Sequence, residues 1–265
     1  MQKLIFFDID GTLWDEAMEI PQSTVHALHG LQARGHKIFI CSGRAKSNIR
    51  SEKLLGIGFD GIVASCGNHI EMGGVRLYEN ILSPELTEKL VRVLSECRMP
   101  VVLEGPDYHW IDEVGFEDDP FVAYIFEEMG QNAIPLRGYT EDIRINKFSA
   151  DVLPYTDYET VKRELGAHFD FLEHESNVVE AVPKGTSKAT GIDWLCGYLG
   201  VRREDTYAVG DSVNDLDMLN FVGHGIAMGN GSEAAKAAAE YVTSGIHEDG
   251  IFRAMRHFGL LDDIK

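Results

Sequence analysis

Cysteine is scarce in this chain of 265 residues: Cys41, Cys66, Cys97 and Cys196 are scattered, with no CxxC pair and no zinc-like spacing. That excludes a disulfide scaffold and a structural zinc site, and reduced thiols in a cytoplasmic protein are the expectation. Cations are scarce as well, 24 Lys and Arg against 43 Asp and Glu, a formal net charge of -19. A polyanion would be repelled over most of such a surface, so no nucleic-acid partner is expected. No basic amphipathic helix offers itself to a membrane surface. Nowhere do about 18 apolar residues run together, so no span of a bilayer is expected. The short apolar run before Asp8 is too brief for a signal peptide and reads as a buried first strand. Internal repeats and low-complexity segments are lacking too.

What is present is an ordinary globular mixture, 44% hydrophobic and 25% charged. The length favours two domains, or one with a large insertion. The first third alternates strands and helices: strands at 4–7, 37–41 and 61–64, with a helix over 23–34. The last third resumes the alternation, with helices over 186–199, 215–221 and 232–239 and strands at 206–209, 225–228 and 241–243. Strands separated by helices of this length imply right-handed βαβ units and a parallel sheet. Between them the pattern changes to helices at 84–96, 121–128 and 157–165 mixed with strands at 100–103, 146–152 and 178–181. The fold class expected is therefore α/β: a Rossmann-like, doubly wound parallel core over 1–81 and 183–265, with an α+β domain inserted over 82–182.

Three strands of the core end in reactive residues: Asp8-x-Asp10-Gly11-Thr12, Ser42-Gly43-Arg44 and Gly210-Asp211-Ser212-x-Asn214-Asp215. Ligands of open parallel sheets bind outside the carboxyl ends of the strands, so these clusters converge on one crevice. A single Asp after a strand is more often a turn or cap residue; three such endings in this order are not coincidence. Asp8, Asp10, Asp211 and Asp215 brought together would repel by about 4 kcal/mol per pair at about 4 Å and an effective dielectric near 20. A cation among them relieves that cost. All-oxygen ligands favour Mg2+, and no His or Cys accompanies the cluster to suggest zinc. One of the two early aspartates can attack phosphorus while the other handles a proton. Ser42 can donate to a phosphoryl oxygen. Lys188 or Lys184, flanking a helix start, can supply positive charge, and spacing alone does not separate them.

Together DIDGT, SGR, the lysine of PKGTSK and GDSVND resemble the four motifs of the haloacid dehalogenase-like superfamily, and AMGNGSEAAKAAAEYVT with EDGI resembles its Cof-type branch. The resemblance implies an aspartyl-phosphate mechanism. Asp8 is the nucleophile in that reading, and Asp10 the acid that protonates the leaving alcohol and the base that activates water. Ser42, Lys188 and Asn214 bind the phosphate, which favours Lys188 over Lys184. Asp8, Asp211 and the main chain of Asp10 hold Mg2+, with Gly43, Arg44 and Asp215 in support. Dehalogenase members lack the second aspartate, so Asp10 points to phosphoryl chemistry. The insertion resembles a type II cap, and a small phosphorylated metabolite is the expected client of a monomer or weak homo-oligomer. The branch commonly carries Asn-Gly after the third strand, where this chain has Ser65-Cys66-Gly67-Asn68.

A phosphomutase of the same superfamily, or a sensor that binds a phosphorylated metabolite without turnover, are the competing readings. The GxGxxG match at Gly56, Gly58 and Gly61 follows a helix and precedes a strand, the reverse of a dinucleotide site. Asp8-x-Asp10-Gly11 lacks the closing Glu of a calcium loop. The sequon at Asn230 carries no meaning without a secretory signal. Arg44 reads evenly as a substrate clamp or a surface ion pair, and Lys147 as a substrate contact or a solvated edge residue. His109, His168 and His174 read as structural, and Phe121, Tyr124 and Phe126 as helix packing.

Overall fold

The computed structural model describes residues 2–112, 119–173 and 177–262; His174 lies outside them. The chain divides into two compact units, Met1–Gly43, Arg50–Tyr78 and Ser187–Lys265 in one and Arg44–Ile49 with Glu79–Thr186 in the other. The borders read from sequence stand a few residues from these. The short segment Arg44–Ile49, placed with the core in that reading, groups with the second unit. There the Ser47 hydroxyl donates to the Gly105 carbonyl at 2.6 Å and Arg44 pairs with Glu128 at 3.0 Å.

In chain order the first elements are β1 (Leu4–Phe7), α1 (Gln22–Ala33), β2 (Lys37–Cys41), α2 (Glu52–Leu55), β3 (Gly61–Ala64), β4 (His69–Met72) and β5 (Val75–Glu79). Next come α3 (Pro84–Glu96), β6 (Val101–Glu104), β7 (His109–Ile111), α4 (Pro120–Met129), β8 (Ala133–Pro135), β9 (Lys147–Asp151), α5 (Tyr158–Leu165), β10 (Phe169–Glu173) and β11 (Val178–Pro183). The chain finishes with α6 (Lys188–Leu199), β12 (Thr206–Gly210), α7 (Leu216–Phe221), β13 (His224–Ala227), α8 (Glu233–Ala238), β14 (Tyr241–Val242) and α9 (Gly250–His257).

In the first unit the sheet order is β14-β13-β12-β1-β2-β3-β4-β5. Strands β14 to β3 pair in parallel, and β4 pairs antiparallel with β3. This is the doubly wound parallel core expected from the alternating pattern. All four residues of β1 are 0% exposed, as a parallel strand covered on both faces requires. Strand order reverses between β1 and β12, which puts a crevice at their carboxyl ends. The β4–β5 edge is an element the sequence reading omitted. Its turn is Gly73-Gly74, both at positive φ, a dipeptide that breaks strands for that reason. Helix α9 was omitted too, although its spacing is amphipathic and Ile251, Phe252, Ala254 and Met255 are buried.

The second unit is α+β, as expected. Its sheet runs β10-β11-β9-β6-β7-β8. One face carries Leu103, Phe148 and Ala181 against Leu90, Leu94, Val161 and Leu165 of α3 and α5. Side chains alternate along a strand, so Val102 and Ile111 share the other face, where Phe121, Val122 and Phe126 of α4 pack on them. Tyr124 points away and is exposed. Helix α3 is started by the Ser83 side chain, which accepts from the Leu86 amide, and by Pro84 in its first turn.

Lys147 is not a solvated edge residue. Strand β9 lies between β11 and β6, and the ammonium is buried between Glu104 at 2.7 Å and Glu180 at 2.8 Å. His109 belongs to the same cluster, 3.0 Å from the Ser47 hydroxyl and 3.7 Å from Glu104.

Candidate active site

Asp8 is the first residue beyond β1 and is nearly buried. The chain then turns tightly, with the amides of Thr12, Leu13 and Trp14 all donating to the Ile9 carbonyl and that of Gly11 to Trp14. Gly11 has φ +76°, and a Cβ there would stand 2.4 Å from Asp211 Oδ2. Only glycine lets the turn approach that carboxylate. The Thr12 hydroxyl donates to the other oxygen of Asp211 at 2.9 Å.

Asp211 follows β12, and the loop after it closes on Asp215. Oδ2 of Asp215 accepts from the amides of Asp211 at 2.9 Å and Ser212 at 3.0 Å. A side chain on Gly210 would collide with the same carboxyl group.

Lys188 is the first residue of α6, whose start is fixed by a capping box between Ser187 and Thr190. Its Nζ donates to Asp8 Oδ1 at 2.6 Å, to Asp215 Oδ1 at 2.6 Å and to Asn214 Oδ1 at 3.3 Å, and the side chain is 1% exposed. A cation at a helix N-terminus opposes the macrodipole by about 0.3–1 kcal/mol; two carboxylates in contact outweigh that. Lys184, the alternative by spacing, groups with the second unit, half-exposed and 3.4 Å from Asp170. The Ser65–Gly67 turn backs this arrangement. Its three residues all have positive φ, the Cys66 amide donates to the Ser42 carbonyl at 3.2 Å, and Gly67 touches Gly191 of α6 where neither could carry a Cβ.

One ammonium thus serves two buried carboxylates, and a third stands beside them. Burial pushes Asp8 well above the usual carboxylate range, against the pull of Lys188 and with the push of Asp215. Burial would lower Lys188, but Asp215 and Asp8 hold it well above its ordinary value, so it stays a cation. Asp211 is pushed up to about 6, by burial first and by Asp215 next. Asp8, Asp211 and Asp215 each offer an oxygen within 4.8 Å of the others. Three carboxylates against one ammonium leave two negative charges, and an all-oxygen donor set of that charge suits a hard divalent cation. The donor chemistry fits the metal expected from sequence. Asp215 is the least available of the three, because both its oxygens already accept hydrogen bonds.

The other predicted residues are placed as follows. The Asp10 carboxylate lies outside the acidic trio, and its Oδ1 accepts from the Trp14 indole at 2.8 Å. Ser42 is buried at the end of β2, the strand beside β1, with Gly43 buried after it. Arg44 groups with the second unit, where Glu128 and Asn48 accept from it. Two contributors were missed in the sequence, Trp14 and Asn230, while Thr12, part of the first strand ending, finds its partner in Asp211. The Asn230 amide donates to the Gly11 carbonyl at 2.8 Å and its oxygen accepts from the Ile246 amide at 2.9 Å. It ties the Gly11 turn to the segment before α9.

A family model described as haloacid dehalogenase-like hydrolase matches residues 5–255. This chain is a haloacid dehalogenase-like hydrolase. YkrA of Bacillus subtilis (strain 168), named a phosphatase only provisionally, is 32% identical over 98% of both chains. YitU of the same organism, named a 5-amino-6-(5-phospho-D-ribitylamino)uracil phosphatase, is 28% identical over 96% of this chain and 97% of its own. A solved structure described as a subclass IIB sugar phosphatase of the superfamily superposes with a TM-score of 0.82 at 30% identity, covering 98% of this chain and 100% of that one. In this haloacid dehalogenase-like hydrolase Asp8, Lys188, Asp211, Asn214 and Asp215 form one connected polar cluster. No helix among the described residues is long and apolar enough to cross a membrane.

Proposed function

We propose that this hydrolase is a Mg2+-dependent phosphatase of a small phosphorylated metabolite, working through an aspartyl-phosphate on Asp8. The observation that carries the reading is the 2.6 Å contact of the Lys188 ammonium with Asp8 Oδ1. It fixes a buried carboxylate at the mouth of the strand-order reversal and keeps one of its oxygens oriented, as a nucleophile requires. Asp8 attacks phosphorus as the bond to the leaving oxygen breaks, and Asp10 gives that oxygen a proton. Asp10 then takes a proton from water as the water oxygen bonds to phosphorus and the Asp8–phosphorus bond breaks, releasing phosphate and regenerating both carboxyl groups. Lys188, the Ser42 hydroxyl and the Asn214 amide bind the phosphoryl oxygens. Asp8, Asp211 and the Asp10 main-chain carbonyl would hold Mg2+, which supplies charge neutralisation for the phosphoryl group. Asp215 holds Lys188 and the 211–212 turn in place.

The inserted α+β unit acts as the substrate-selecting cap. A small metabolite is favoured because YitU and the subclass IIB structure are named for such substrates. Four buried cysteine thiols suit a reducing, cytoplasmic setting. The test is phosphate release from a panel of sugar phosphates and phosphorylated cofactor precursors, with Mg2+ or with EDTA. Release that needs Mg2+ supports the reading, and undiminished release in EDTA overturns the metal assignment. Phosphate that reappears on a second hydroxyl of the sugar would make the enzyme a mutase instead.

A further inference from the structure

We infer that Trp14 is a positioning residue for the proton-transfer step, because its indole fixes which oxygen of Asp10 exchanges the proton. This rests on the reading of Asp10 as acid and base.

Asp10 is exposed, and an exposed carboxylate ordinarily samples several rotamers. Here its Oδ1 accepts from Trp14 Nε1 at 2.8 Å. The donor is rigidly placed. Trp14 is 4% exposed, its amide donates to the Ile9 carbonyl and its carbonyl accepts from the Gly11 amide at 2.9 Å, so the turn carrying Asp10 also clamps the indole. An indole N–H can only donate. The carbonyl oxygen of a protonated carboxyl is a stronger acceptor than its hydroxyl oxygen, so the indole holds Oδ1 as the acceptor in both protonation states of Asp10, and the proton resides on Oδ2. The same contact survives both half-reactions, since giving up or taking up the Oδ2 proton leaves Oδ1 an acceptor. An aliphatic residue at position 14 would fill the space without selecting an oxygen. Tryptophan adds selection, four residues beyond the acid it serves.

The experiment compares kcat/KM of wild type and Trp14→Phe on two aryl phosphates of nearly equal shape. Phenyl phosphate needs its leaving oxygen protonated, whereas the nitrophenolate of p-nitrophenyl phosphate departs without a proton. This ratio reports only steps up to release of the leaving group, so later hydrolysis does not blur it. The expected result is a fall of about tenfold or more on phenyl phosphate and about twofold or less on p-nitrophenyl phosphate. An equal fall on both substrates makes Trp14 merely structural and overturns the inference, as does no fall on either. If Trp14→Phe does not fold, the near-isosteric benzothienylalanine, in which sulfur replaces the ring N–H, gives the same comparison. Asp8→Asn and Asp10→Asn are run alongside. Undiminished turnover in either sinks the parent mechanism, whereas their inactivity with an unaffected Trp14→Phe sinks this inference alone.

Discussion

Replacing Lys188 with Met probes the electrostatics of the site without opening a large cavity. Each contact of the ammonium, at 2.6 Å, is worth about 6 kcal/mol of attraction at an effective dielectric near 20, most of it offset by desolvation. The substitution leaves Asp8, Asp215 and Asp211 facing one another in a buried space without their cation. Removing one partner of a buried ion pair costs about 3–5 kcal/mol. In a unit of this size that lowers its melting temperature by on the order of 10 °C. The loss must depend on pH. With the lysine gone, the carboxyls of Asp8 and Asp211, already raised by burial, are held further above their unfolded values, so the native state takes up protons. Stability of the variant relative to wild type is therefore regained as pH falls from about 8 toward 5 and lost as it rises. The assay is urea unfolding in EDTA at several pH values, followed by circular dichroism. Lys188→Met/Asp215→Asn should recover part of the loss at neutral pH. A cost below about 1 kcal/mol, or a cost that does not change with pH, would refute the reasoning.

Two other perturbations test the site. Asp211, raised from 3.8 to about 6, must lose its proton to bind a cation, so Mg2+ affinity should fall as pH drops through about 6; titration calorimetry showing equal affinity at pH 5 and 8 contradicts this. The same shift means that, in metal-free protein, the stability Asp211 contributes at low pH is lost as pH rises through about 6. Gly11→Ala puts a Cβ 2.4 Å from Asp211 Oδ2 at φ +76°, and should cost about 1–3 kcal/mol in strain while also weakening Mg2+ binding; a variant with wild-type melting temperature and affinity would show that the turn tolerates a side chain.

The sequence made the catalytic unit legible because its information is local. Strands β1, β2, β3 and β12 each end directly in the residues that matter, and a parallel sheet brings strand ends together whatever lies between them. The resemblance to the superfamily rested on those same endings, and the family match supports it over 5–255. What escaped was held by distance in sequence. Asn230 reaches the Gly11 carbonyl across 219 positions, and no local pattern announces that bond; read locally, it was only a sequon. Lys147 reads evenly as a substrate contact or an edge residue because strand order within a sheet is not encoded in the strand itself. The Trp14 bond to Asp10 could have been suspected, since a donor four residues past an acid in a tight turn can fold back on it. Gly73-Gly74 is itself a local turn signal between two strands. The Ser65-Cys66-Gly67-Asn68 departure proves compatible with the site's architecture. Positive φ over its first three residues lets Gly67 meet Gly191 at the base of α6, where Lys188 begins.

The covalent role proposed for Asp8 is open to one direct measurement. Wild-type enzyme turning over p-nitrophenyl phosphate in Mg2+ is quenched in acid, digested and mapped by mass spectrometry for a phosphorylated aspartate. A nucleophilic Asp8 predicts a phosphoryl group on the peptide that carries it, absent from Asp8→Asn. A phosphoryl group on any other residue, or phosphate release by Asp8→Asn at the wild-type rate, would contradict it.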